Sequence, residues 1–283
     1  MKLHTIEVNE VEKLKTYKHF TTGISKFDST KSITDGDFII LGGGTGSGKS
    51  TIALFMACNI AKSGETVWFF NMENTDKVMA DSIEKLGFNF NSDFGEREKD
   101  HSNRLKIWTS ETLHLDSLIN KLELEEQKPA VIFIDLFSCL YEHHDEIVKW
   151  REATKCAIKL AQLSKKYGIC VIVTEQFKKD NKRTGRAVID DIKGIAELTT
   201  KATKVFIIYR YHKNNLEKMV MNLSCPEILS STTELIVRKD RLGLLSDGIS
   251  LVRFKKDKGF KSLSMDEIEA YGQLVFNFKQ GKQ

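Results

Sequence analysis

Apolar residues along the chain collect into short runs, DFIILGG (37–43), TVWFFNME (66–73), AVIFIDL (130–136), CVIVTEQ (170–176), KVFIIYR (204–210) and ELIVRK (234–239). Most are continuous rather than alternating, the pattern of strands buried on both faces. Between them lie stretches of helical periodicity, including STIALFMACNIAKSG (50–64) and VKWREATKCAIKLAQLSKKYG (148–168). Gly64 and Gly168 each follow such a stretch and suit a helix C-terminal cap. Strand and helix alternating in this way predict an α/β fold with a mainly parallel, helix-flanked β-sheet.

Ligands of such sheets bind beyond the carboxyl ends of the strands. The residues closing the runs are therefore the candidates for chemistry: the loop after DFIILGG, then Glu73, Asp135, Gln176, Arg210 and the pair Lys239/Arg241. The first of these carries the strongest signal. Gly43, Gly44, Thr45, Gly46, Ser47, Gly48, Lys49 and Ser50 read GGTGSGKS and fit the phosphate-loop pattern G-x-x-x-x-G-K-[ST], with Thr51 continuing into the helix. An apolar strand precedes the loop and an apolar-periodic helix follows, the context the pattern requires. Glycines let backbone N–H groups converge on phosphate oxygens, and the helix N-terminus adds partial positive charge. Lys49 is expected to reach the β- and γ-phosphates, and the Ser50 hydroxyl to ligate Mg²⁺, a hard ion that takes oxygen donors.

Asp135 closes VIFIDL as a second metal-holding group, directly or through water. Glu73 is the candidate for activating the attacking water; its alternative is to cap the helix that follows. Gln176 is placed to sense the γ-phosphate, with Glu175 as the competing choice. Lys239 and Arg241 are two apart, so an extended chain points both to one face. They form a cation fork for an anion, or else ordinary charges at a strand end that discourage edge pairing.

The 283 residues are enough for one large core, and a formal charge of +4 permits a local basic surface without demanding a nucleic-acid partner. Five cysteines, at 58, 139, 156, 170 and 225, show no CxxC pair or metal-ligand spacing and mostly lie in apolar runs. They read as buried free thiols. The first residues, MKLHTIEVNEVEKLK, lack the apolar stretch of a signal peptide, and no run is long enough to span a bilayer. The expectation is a cytoplasmic protein without a membrane partner. His143 and His144 have no matching ligand cluster and read as polar loop.

Taken together, DFIILGGGTGSGKST, FFNMEN, VIFIDL, VIVTEQ, DIKGIAELTTKATKVFIIYR and IVRKDRLG resemble the RecA-type ATPase domain of DnaB-like replicative helicases, a group that includes Twinkle and phage relatives. The resemblance runs from TTGISKFDS (21–29) to RLGLLSDGISLVRF (241–254). It implies a RecA-like P-loop NTPase core hydrolysing ATP or dTTP with Mg²⁺. It also implies a homo-oligomeric, hexameric ring around single-stranded DNA, with each nucleotide between subunits and a primase or helicase loader as further partner. Lys239 and Arg241 would then face the γ-phosphate held by the adjacent protomer, with Arg210 as a further group near the nucleotide.

By the same resemblance, FKKDNKRTGRAVIDDIKG (177–194) is the DNA-facing segment, with Lys178, Lys179, Lys182, Arg183, Arg186, Lys193 and Gly194 as contacts. Clustered cations suit sequence-independent binding of the phosphate backbone. Family members commonly continue the basic-Gly pair with Ser-Gly, whereas Ile195-Ala196 follow here. Residues 1–20 are read as an N-terminal segment that forms a linker helix or a frayed end, and 21–283 as the ATPase domain without the family's N-terminal domain.

Overall fold

All six apolar runs become strands. In chain order these are β1 (Phe38–Gly43), β2 (Val67–Asn71), β4 (Val131–Asp135), β5 (Cys170–Gln176), β6 (Lys204–Arg210) and β7 (Thr232–Asp240). Three more strands complete the sheet: β3 (Leu105–Thr109), β8 (Ile249–Lys255) and β9 (Gly259–Ser262). The computed structural model describes residues 17–89, 104–110, 113–141, 146–177, 188–192, 196–210, 231–243, 248–255 and 257–280. The expected DNA contacts Lys178, Lys179, Lys182, Arg183, Arg186, Lys193 and Gly194, together with His143, His144, Cys225 and residues 1–16, lie outside the described residues.

Among the described residues nine strands form one sheet in the order β3-β2-β4-β5-β1-β6-β7-β8-β9. From β3 to β6 neighbours are parallel; β7, β8 and β9 are added antiparallel. The fold is α/β, as the alternation predicts. Two-faced burial explains the continuous apolar runs, because odd and even positions of each strand enter different cores. Val67, Phe69, Val131, Phe133, Cys170 and Ile172 share one core with α2 (Lys49–Lys62) and α3 (Asp76–Lys85). The intervening Trp68, Phe70, Ile132, Ile134, Val171 and Val173 enter the second, with α4 (Leu115–Leu124), α5 (Glu146–Tyr167) and the short α6 (Ala196–Lys201). A small α1 (Ser25–Ser29) sits before β1, and α7 (Met265–Gln280) follows β9. Each fully buried Ile or Phe of these layers contributes about 1.5–3 kcal/mol.

Helix ends follow the sequence signals. Gly64 and Gly168, just beyond α2 and α5, both adopt positive φ, 113° and 65°. Cys58, Cys156 and Cys170 are buried and Cys139 is half-buried, all as free thiols. Among the described residues no helix is long and apolar enough to cross a membrane.

The antiparallel end of the sheet curls back over α2. Phe260 of β9 meets Phe55 of α2 at 5.4 Å between ring centroids, and the Asp257 amide donates to the Lys85 carbonyl at 2.9 Å. Gly259 makes this approach possible: its φ is +65°, and a Cβ there would lie 2.2 Å from Phe55 Cε2. Gly259→Ala is therefore expected to cost about 2–4 kcal/mol, combining a left-handed alanine with overpacking. Gly36 also has positive φ, +69°, but its added Cβ would meet nothing within 4 Å. Gly36→Ala should lose only about 1–2 kcal/mol, the cost of the left-handed backbone alone. Denaturant midpoints compare the two; equal losses would remove the packing argument.

Candidate nucleotide site

The parallel register brings the strand ends to one level. Asn71 of β2 pairs with Asp135 of β4, and Gly42 and Gly43 of β1 pair with Glu175 and Gln176 of β5. The alternation that fills the two cores also decides which way these residues face. Asn71, Asp135, Thr174 and Gln176 continue the positions that point toward α2, while Glu175 continues the positions facing α5. Gln176 therefore shares a face with the loop, and Glu175 lies beneath the sheet.

The loop itself is built on close approach. A Cβ on Gly43 would stand 2.5 Å from Ser47 Oγ and 2.8 Å from the Ile208 carbonyl, so no larger residue fits between β6 and the loop. Gly48, at φ 94°, turns the chain into α2, whose first residue is Lys49. Lys49 is buried, and its Nζ donates to the Gly44 carbonyl at 2.9 Å. Burial pulls its ammonium pKa down, while the charges of Asp135, Glu73 and Glu175 hold it up. The Ser47 hydroxyl is buried without a hydrogen-bond partner among the described residues. A buried polar atom of this kind inside a glycine loop fits a site made for phosphate oxygens.

Asp135 is 1% exposed and accepts hydrogen bonds from Thr174 Oγ1 and the Ser50 hydroxyl. Burial raises its pKa; those two hydrogen bonds and the Lys49 charge oppose the shift. The peptide bond after Asp135 is cis. Glu73 stands on the turn after β2, its Oε1 3.5 Å from Gln176 Nε2, the outer limit of a hydrogen bond. Desolvation first, then the negative charge of Asp135, pushes its carboxyl pKa up, against the pull of Lys49. The α3 N-cap position is occupied by Thr75, so the helix-cap alternative for Glu73 finds no support in the geometry.

Two residues the sequence reading passed over complete the rim. Thr174 is the hydroxyl that fixes Asp135. Asn71 pins the Glu73 turn, donating through Nδ2 to the Asn74 carbonyl at 2.6 Å and accepting from the Asn74 amide at 3.3 Å. Both were accessible as polar residues at the ends of apolar runs, once their faces were matched with that of Asp135.

Arg210 closes β6 on this same rim, two residues beyond Ile208, the partner of Gly43. Lys239 and Arg241 do not. Because β7 runs antiparallel, Leu235 is level with the loop through Ile208, and Lys239 pairs with Val205 at the other end of β6. Four residues of extended chain put Lys239 about 13 Å from the loop's level along the strand. The rule that gathered all strand ends at one rim therefore fails for β7, since it presumes a parallel strand. The two cations do share a face: Lys239 Nζ and Arg241 Nη2 both donate to the Thr200 carbonyl.

A family model described as an AAA domain matches residues 30–182, more than half of the chain and all the strands from β1 to β5. This chain belongs to the AAA domain family. Among curated proteins, this AAA-domain chain is similar to the DNA repair protein RadA of Campylobacter jejuni, with 23% identity over 218 residues covering 73% of this chain and 44% of that protein. RadA of Escherichia coli K12 is 25% identical over 209 residues, covering 71% and 41%. The chain thus spans less than half the length of these relatives. Among solved structures, one described as a DnaB-like replicative helicase and its interactions with primase aligns with TM-score 0.69 and 16% identity, over 90% of this chain and 65% of that one. A second structure, described as an ATPase domain, gives 0.69 and 16% over 90% and 95%, and a KaiC-like protein of Pyrococcus horikoshii gives 0.62 and 18% over 88% and 100%. The AAA-domain chain has the RecA-like fold of DnaB-like helicase ATPase domains, and it is a P-loop NTPase.

Proposed function

We propose that this AAA-domain chain is a nucleoside-triphosphate-driven translocase on single-stranded DNA, assembled as a ring with nucleotide sites between subunits and acting as a replicative helicase. The observation that carries the reading is the separation of Lys239 and Arg241 from their own phosphate loop on opposite rims of the sheet. A cation fork remote from the loop of its own chain would suit the loop of a neighbour, and head-to-tail contacts of this kind form a ring where the rotation closes and an open filament where it does not. The likeness in fold to DnaB-like ATPase domains supports the same reading.

Within the site, Lys49 and the loop amides would hold the triphosphate, and Glu73 would accept a proton from the attacking water. Ser50 and Asp135 present oxygen donors side by side and fit Mg²⁺, which would neutralise phosphate charge when bound. Among the described residues no group of three or more His, Cys, Asp or Glu side chains is arranged to hold a metal ion, and a cation shared with substrate phosphates does not require one.

The test is hydrolysis of ATP and dTTP with and without an oligonucleotide, alongside mass in solution and unwinding of a forked duplex. Strand-stimulated turnover by a sixfold particle that separates the duplex is expected. The RadA relatives favour a second reading, a repair ATPase that forms an open filament or small ring without unwinding. Electron microscopy with nucleotide and single-stranded DNA separates the two. Equal turnover with and without DNA, in a stable complex with a separate helicase, would point instead to a loader.

Strand affinity should depend steeply on salt if the basic segment 178–194 binds phosphates. With six or more contacts it falls about 10³-fold or more between roughly 50 and 200 mM salt. A flat response would remove the DNA role assigned to that segment.

A further inference from the structure

Helix α6 is only six residues long, too short to persist without tertiary support. Leu198 and the following Ala202 seat it, both wholly buried in the core that α5 covers. Its last carbonyls are then occupied by the cation pair. Lys239 Nζ donates to Thr199 O at 2.6 Å and Thr200 O at 3.1 Å, and Arg241 Nη2 donates to Thr200 O. The backbone under the pair is fixed as well: the Arg241 amide donates to Thr203 O at 3.0 Å, and Thr203 Oγ1 donates to Asp37 Oδ1 at 2.7 Å. Asp37 is in turn held by the buried Lys204, 2.5 Å away at the foot of β1.

These contacts address a physical difficulty. Two cations aimed at one point repel, and the Lys239 ammonium pKa is lowered by burial and by the neighbouring Arg241 charge. A helix C-terminus carries partial negative charge and unsatisfied carbonyls, so it draws both side chains to one place. The contacts do not exhaust the pair. Lysine has three donors and arginine five, which leaves N–H groups on both for an anion while the helix stays in place.

We infer that the C-terminal turn of α6 is a positioning element for the Lys239/Arg241 fork, resting on the reading that this fork serves the neighbouring nucleotide. A shift of the helix end then alters hydrolysis next door without touching either triphosphate. The described segment before α6 packs beneath β1, in the core that α5 covers. Ile192, four residues before the helix, bridges Phe177, and its Cδ1 would be 2.8 Å from a Cβ on Gly42.

Fraying the helix end without touching the fork tests this. In the assembled protein, Thr200→Gly combined with Lys201→Gly is expected to lower the kcat of strand-stimulated hydrolysis about 10- to 100-fold with KM for nucleotide unchanged, as misplacement of a catalytic group does. Thr200→Ala, which keeps the carbonyl and favours the helix, should stay within about twofold. Amide exchange of nucleotide-free protein supplies a second readout that does not involve the neighbour. Lys239→Ala with Arg241→Ala should speed exchange across 196–203 and leave β4 and β5 unchanged. A double-glycine variant of full kcat, a rise in KM in place of the kcat loss, or unchanged exchange would each overturn the inference. If Arg241→Ala alone left hydrolysis intact while exchange across 196–203 rose, the helix contact would stand and the shared-site reading would fall.

Discussion

Glu73→Gln is expected to lower kcat for triphosphate hydrolysis by about 10²–10⁴, the usual worth of a positioned general base, while nucleotide binding is retained. Glutamine keeps the size of the side chain and its approach to Gln176, but it cannot take a proton from water. Binding should survive because the groups proposed to hold phosphate, Lys49 and the loop amides, are untouched. The pH profile supplies an independent check. A general base at Glu73 would work deprotonated, and burial together with the Asp135 charge holds its carboxyl above the ordinary value of 4.5. The rate should therefore fall as pH drops through that raised value, at higher pH than a free carboxylate would give, and the glutamine variant should lose this limb. Single-turnover hydrolysis and equilibrium nucleotide binding across pH measure both effects. A variant within tenfold of the parent, with the acid limb intact, would assign the base to another group.

The sheet's central strands were legible because both faces are buried, which writes them as unbroken apolar runs. β3 escaped notice for the opposite reason. LKIWT lies at the sheet edge with only Leu105 fully buried, and Lys106 interrupts the run while pairing with Glu125 at 2.7 Å. β8 and β9 hid for a related reason: Val252 and Phe260 are buried, but exposed or half-buried residues interrupt both runs. In the site, the phosphate loop announced itself through residue types that only phosphate binding requires together. Thr174 and Asn71 did not, since a hydroxyl or amide at a strand end has no meaning until register places it beside Asp135. The direction of β7 lay beyond the pattern altogether: ELIVRK states that a strand is present, but not which way it runs. That one unknown decides whether Lys239 and Arg241 stand beside their own loop or far from it.

Arg241→Ala is expected to reduce kcat by about 10³–10⁵, the effect of removing a cation that stabilises phosphoryl transfer in trans. The antiparallel course of β7 makes the prediction sharper than a simple loss. An Arg241→Ala subunit keeps its own loop, Glu73 and Asp135, whereas a Lys49→Ala subunit should lose phosphate binding but keeps its fork. Each is expected to be nearly inactive alone. Mixed in equal amounts with free exchange, about one interface in four of a closed ring pairs an intact loop from the first with an intact fork from the second. Activity should return toward that fraction, and it should vary with the mixing ratio as the product of the two populations. If the fork acted within its own chain, no mixture could assemble a complete site and activity would stay at the level of the separate variants. Lys239→Ala in place of Arg241→Ala should show the same complementation with a smaller loss, because a single ammonium offers a point charge where the guanidinium offers a planar fork to phosphate oxygens.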